Sequence, residues 1–164
     1  MSRRTSAAKV ARPIDESAPE MSVVHLLRAL TVEFNVSGAM FAAANGLHLT
    51  DLRAIIELLD AERAGVAASP GWLGARLTLN SASVTALLDR LERLGHVRRE
   101  PDPTDRRRLR LVVRPAAKEL GWAFFGPLIG DVIEVARSFS DAELATVRRF
   151  LAAVTNAASA RRGQ

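Results

Sequence analysis

At Gly95 the hydrophobic period of the chain changes, and no single element of secondary structure can span the change. Upstream, Val84, Leu87, Leu88, Leu91 and Leu94 recur at the spacing of one helical face. Downstream, "HVRR" and "LRLVV" read as two short strands, with Leu109, Leu111 and Val113 alternating onto one face. Gly95 suits the left-handed residue that ends such a helix. The residues between the strands, "EPDPTDRRR", carry two Pro and two Asp, which is turn chemistry. A helix therefore feeds a β-hairpin with no room for another element between them.

The rest of the chain supplies helices. Val23, Leu27, Leu30, Phe34 and Phe41 fall on one stripe between Met21 and Phe41, with Gly38 expected to weaken its end. Thr50 can cap a second helix carrying Leu52, Ile55, Ile56 and Leu59, and Gly65 lies in the loop beyond it. Ser69 and Pro70 form the start of a third helix of about two turns. Asn80 or Ser81 can cap the fourth, which ends at Gly95. Pro115 opens a long fifth helix that Gly121, Gly126, Pro127 and Gly130 should bend. Ser140 and Glu143 have the capping-box spacing for a sixth, with Leu144, Val147, Leu151 and Val154 as its stripe. Helix, short helix, turn, helix and two-stranded wing, in that order, is a winged helix-turn-helix. The expected fold class is mainly α with a small β-hairpin wing, a lobe over residues 47–114, and further helices over 20–46 and 115–164. Residues 1–19, with Pro13 and Pro19, read as a flexible basic arm.

Charge is focused on the wing. The whole chain carries a formal net charge of +5, and the window from Arg90 to Arg114 has nine Arg against four carboxylates, again +5. Such focusing is an electrostatic footprint for the phosphates of double-stranded DNA. On the fourth helix Ser81, Ser83 and Thr85 form a small hydroxyl face that can approach base edges, and Arg90 has the reach for the backbone. Taken alone, that face is what any solvated amphipathic helix carries. Beside a basic hairpin it reads as a DNA-facing surface. Arg106, Arg107 and Arg108 crown the turn, and Asp105 can hold Arg107 in place there. Arginine suits the strong negative potential of a narrow minor groove.

The run "SVTALLDRLERLGHVRREPDPTDRRRLRLVV" resembles the multiple-antibiotic-resistance-regulator (MarR) family of bacterial transcription factors. The resemblance rests on a recognition helix ending in Asp89–Glu92 and Gly95, followed by Asp102, Pro103, Asp105 and Arg107 in the wing. It extends by helix order over roughly residues 20 to 160. It implies a homodimer joined through 20–46 and 115–164, which reads a pseudo-palindromic operator, as a repressor, with Arg107 in the minor groove. It also implies release by a small aromatic or anionic effector between the dimer arm and the DNA-binding lobe, where Phe41, His48 and Trp122 are candidate contacts. One departure stands out. The family usually shows Leu-Thr-x-x-Gly after the second strand, where this chain has "VRPAA" from Val113 to Ala117, so the fifth helix should be capped differently.

Other classes find little support. There is no Cys, which removes disulfides, thiolate nucleophiles and cysteine redox sensing, and fits a cytoplasmic protein. His25, His48 and His96 are scattered without metal-ligand spacing, so no metal and no cofactor is expected. No apolar run has the length of a membrane span. No phosphate-binding glycine motif or Ser-His-Asp order appears, so the chain does not read as an enzyme. A winged-helix protein-interaction module and a non-specific architectural DNA binder remain the alternatives.

Overall fold

A computed structural model describes residues 15–103 and 105–161. The expected basic arm lies, up to residue 14, outside the described residues. The chain divides into two compact units, residues 1–52 and 53–164.

In the first unit α1 runs over Pro19–Ala44, with Pro19 in its first turn. The helix continues through Gly38 to Ala44. A Cβ on Gly38 would lie 3.2 Å from Leu52 Cδ2, so the glycine permits a close approach. Phe41, Ala42, Leu47 and Leu52 are buried. Helix α2, Leu49–Arg63, starts before Thr50, which therefore sits in the first turn and is not the cap. Buried Asp51 reaches back instead, its carboxylate accepting a 2.9 Å hydrogen bond from the His48 N–H. This is the backward half of a capping box.

In the second unit the remainder of α2 buries Ala54, Ile55, Leu58 and Ala61. That stripe is rotated from the expected one: Ile56 is exposed and Leu59 only half-buried. Helix α3, Pro70–Leu77, begins as the sequence predicts, with Ser69 Oγ accepting from the Trp72 N–H at 3.2 Å. The turn after it passes through Thr78 at φ 57°, and the Leu79 N–H donates to the Gly74 carbonyl. A Cβ on Gly74 would meet Leu79 O and Val84 Cγ2, both at 3.1 Å, so this glycine lets α3 close on its successor.

Helix α4, Ser81–Arg93, is capped by Asn80, whose side chain accepts from the Ser83 N–H at 2.9 Å. Val84, Leu87, Leu88 and Leu91 face the core. At its end Gly95 takes φ +76° and donates to the Glu92 carbonyl, while the His96 N–H donates to Leu91. That pair of bonds is a Schellman motif, which turns the chain directly into the hairpin.

Strands β1, Val97–Pro101, and β2, Leu109–Val113, pair antiparallel with Val97 opposite Val113 and Pro101 opposite Leu109. Val97, Leu111 and Val113 are buried, but Leu109 is exposed, because the hairpin outruns the core at its tip. The outer edge of β2 is met by one backbone bond, Leu111 N–H to the Ala68 carbonyl at 2.8 Å.

Helix α5 spans Pro115–Arg137 with Pro127 inside it. Its N-cap, Arg114, makes no side-chain cap bond, and Pro115 follows as a residue without an N–H. The family's usual cap is thus replaced by a start that has one fewer donor to satisfy. Helix α6, Asp141–Arg161, opens on the predicted capping box. The Glu143 carboxylate accepts from the Ser140 N–H at 2.8 Å and from its hydroxyl at 2.6 Å, holding the Glu143 carboxyl below its usual range. Along α6, Val147, Phe150, Leu151 and Val154 are exposed in the single chain, as are Val132, Ile133 and Val135 on α5.

Candidate nucleic-acid interface

The buried stripe of α4 determines which of its residues face outward. At about 100° per residue, Ala82, Ala86, Asp89 and Arg93 lie opposite Val84, Leu87, Leu88 and Leu91. Ser83 and Arg90 flank them on one side, Ser81, Thr85 and Glu92 on the other. Ser81, Ser83 and Thr85 are all exposed, and Arg90 is half-buried. The Thr85 hydroxyl donates to the Ser81 carbonyl at 3.0 Å, so outward it offers lone pairs. Ala82 and Ala86, both exposed, went unnoticed in the sequence because alanine carries no polar signal. Their methyl groups make the centre of the face shallow and suited to contact with a thymine methyl.

The wing tip is built by its aspartates. Asp102 accepts from the Asp105 N–H at 3.2 Å, and Asp105 accepts from the Arg107 N–H at 3.1 Å. The Arg108 N–H donates to the Asp105 carbonyl, and the Asp102 N–H to the Arg108 carbonyl, each at 2.9 Å. Asp105 thus braces the turn through the backbone of Arg107 rather than through its guanidinium. Arg106, Arg107 and Arg108 are exposed, and no ion pair among the described residues engages them.

Three other arginines of the basic window are ion-paired within the chain. Arg98 and Arg110 converge on Glu100, with Arg110 Nη2 at 2.8 Å from Oε2. The Arg110 hydrogen bond, helped by the charge of Arg98, outweighs partial desolvation and lowers the Glu100 pKa. Arg99 pairs with Asp89 and Glu92 of α4. The sequence count of nine cations therefore overstates what the window presents to a ligand.

A profile of the MarR family matches residues 45–108. The chain is 36% identical over 132 residues to the uncharacterized HTH-type transcriptional regulator YcgE of Bacillus subtilis (strain 168), covering 80% of this chain and 83% of YcgE. The chain belongs to the MarR family. Among solved structures, a MepR mutant from a multidrug-resistant S. aureus clinical isolate is similar at a TM-score of 0.69 and 16% identity, over 82% of this chain and 96% of MepR. The S. aureus MepR–DNA complex is similar at 0.54 and 16%, over 82% and 98%. At such identities the likeness is one of fold, and the fold is the winged helix of MarR proteins. The chain is thus a transcriptional regulator of that family.

The three candidate effector contacts lie in different settings. Phe41 is buried and His48 exposed in the first unit. Trp122 is 66% exposed on α5, with its indole over Gly126, where an added Cβ would be 3.8 Å from Nε1. Within the second unit a cleft of about 450 Å³ lies elsewhere, lined by Leu58, Glu62, Val66, Ala68, Arg110, Leu111 and Val113 among others. Among the described residues no group of His, Asp and Glu could hold a metal ion, and no helix is long and apolar enough to cross a membrane.

Proposed function

We propose that this MarR-family regulator binds a pseudo-palindromic operator as a homodimer and represses the genes beside it. In this reading Ser81, Ser83, Thr85 and the small face of Ala82 and Ala86 enter the major groove, and Arg90 grips the flanking backbone. Arg106, Arg107 and Arg108 reach the neighbouring phosphates, with Arg107 in the minor groove. The observation that carries the reading is the braced wing tip: the turn spends its aspartates on backbone N–H groups and leaves three guanidiniums exposed.

The dimer is supported by the exposed apolar residues of α5 and α6, which a monomer would leave in water. A two-fold dimer would read half-sites about one DNA turn apart. Bound over a promoter it would obstruct polymerase, hence repression. Release by a small aromatic or anionic effector completes the proposal, with Phe41, His48 and Trp122 as candidate contacts.

Selection from a random duplex library at near-physiological salt tests this reading. An enriched near-palindrome is expected. Salt-sensitive binding without enrichment would point instead to an architectural binder, and no binding at all to a protein-interaction module.

A further inference from the structure

Arg99 sends its side-chain donors from β1 onto α4. Its side chain is only 22% exposed. Its backbone N–H donates to Glu92 Oε1 at 2.8 Å, and Nη1 to the other oxygen of the same carboxylate. Nη2 donates to Asp89 Oδ1 at 2.7 Å and to the Thr85 carbonyl at 3.4 Å. Positions 85, 89 and 92 are i, i+4 and i+7 on α4, so one guanidinium from β1 spans two turns of the helix. Only a planar fork of several donors can do so; an ammonium is a point charge.

The arrangement has two consequences. Without its guanidinium, α4 would hold the hairpin through the Gly95–His96 turn, the packing of Val97 and the Arg99 backbone N–H to Glu92, while β2 is tied to Ala68 through Leu111. The guanidinium adds a side-chain attachment to these, on the way to the tip that carries Arg107. Asp89 and Glu92 are also carboxylates on the surface of α4, with side chains 60% and 32% exposed, and Arg99 compensates both.

We infer that Arg99 is the positioning residue that holds the wing at a fixed angle to α4, so that helix and wing tip engage DNA as one rigid unit. Glu100 has the complementary role, bracing the hairpin internally between Arg98 and Arg110. The inference rests on the DNA-binding reading above and adds to it a residue that touches no DNA.

The test is a double-mutant cycle of Arg99→Ala with Arg107→Ala, read by fluorescence anisotropy on the selected operator duplex. Hydroxyl-radical footprinting of the minor groove and methylation protection of the major groove accompany it. Arg99→Ala should weaken binding roughly five- to hundredfold, the loss of a whole groove contact. Adding Arg107→Ala should then cost almost nothing, because the tip no longer arrives. Minor-groove protection at the wing should vanish while major-groove protection under α4 persists. Losses that multiply independently, or wing protection that survives Arg99→Ala, would overturn the inference.

Arg99→Lys keeps the charge but cannot span three acceptors, and it carries the same cycle if the alanine variant fails to fold. Arg107 should contribute little in that background too. Full recovery of its contribution would show that charge alone suffices, and the positioning role would be wrong. A wild-type protein that selects no duplex would remove the DNA-binding reading and this inference with it. Additivity in a wild type that does bind would remove this inference alone.

Discussion

The carboxylate of Asp105 accepts a 3.1 Å hydrogen bond from the backbone N–H of Arg107, and the Arg107 side chain stays exposed. The residue that shapes the turn is thus separate from the group the turn presents. Arg107→Ala should weaken operator binding by about 1–3 kcal/mol, the worth of one good groove contact, while the protein stays folded. Asp105→Ala should lose a similar amount by releasing the turn. Asp105→Asn, whose amide oxygen still accepts from the N–H, should stay within about 0.5 kcal/mol of wild type. Anisotropy titrations of the three variants decide this. Equal losses for Asn and Ala would mean that the charge of Asp105 matters more than its hydrogen bond.

Arg90 flanks the small face of α4, and the proposed reading gives it the DNA backbone. Arg90→Ala should weaken binding to operator and unrelated duplex alike and reduce the slope of log K against log salt by about one. A salt series on both duplexes measures it. A changed base preference with an unchanged slope would make Arg90 a base reader.

The elements visible in the sequence are those specified by neighbours along the chain. Ser69 with Pro70, Asn80, Gly95 and the Ser140–Glu143 box all act within one turn, and each sits where its chemistry requires. The misreadings arose where a distant element decides. Ile56 looked like part of the α2 stripe, but the core selects Ala54, Ile55, Leu58 and Ala61 instead. Leu109 alternates correctly with Leu111, yet the hairpin extends past anything that could cover it. The candidate interface shows the same division. Its turn chemistry was legible, whereas the ion pairs of Arg110 across the hairpin and of Arg99 between β1 and α4 join residues distant in sequence, and a charge count cannot find them.

Glu100 should make the wing sensitive to acid. Its pKa is lowered chiefly by the Arg110 hydrogen bond, with Arg98 adding to it. A depressed folded-state pKa gives a contribution that is complete above the unfolded carboxylate range and is lost as pH falls through the folded value. Urea denaturation at decreasing pH should therefore show a steeper acid loss in the wild type than in Glu100→Gln, with Gln the less stable protein near neutrality. Parallel acid limbs would show that the Glu100 pairs add nothing beyond solvated charge.

The apolar face of α6 tests the assembly. Leu151 is 44% exposed in the single chain, so Leu151→Glu should cost a monomer little. In a dimer that covers this face it buries a charge without a partner, and the subunits should separate. Light scattering gives the mass, and anisotropy should show operator affinity falling with it, because each half-site is then bound alone. A variant that keeps the mass and affinity of the wild type would exclude this face from the interface.

Two glycines of α3 should respond oppositely to the same substitution. Alanine is ordinarily better than glycine inside a helix by about 1 kcal/mol. Gly71 has open space around an added Cβ, so Gly71→Ala should be neutral or stabilising. At Gly74 the methyl would press on Leu79 O and Val84 Cγ2, each at 3.1 Å, and the backbone carbonyl cannot rotate away. Overpacking of this kind costs about 1–3 kcal/mol and should outweigh the propensity gain. Thermal denaturation should therefore show a lowered midpoint for Gly74→Ala and none for Gly71→Ala. Since Gly74 sets how closely α3 approaches α4, the same variant should bind operator more weakly even well below its melting temperature. Normal affinity and a raised midpoint would mean that the turn between the helices can relax, and that its close packing does not position α4.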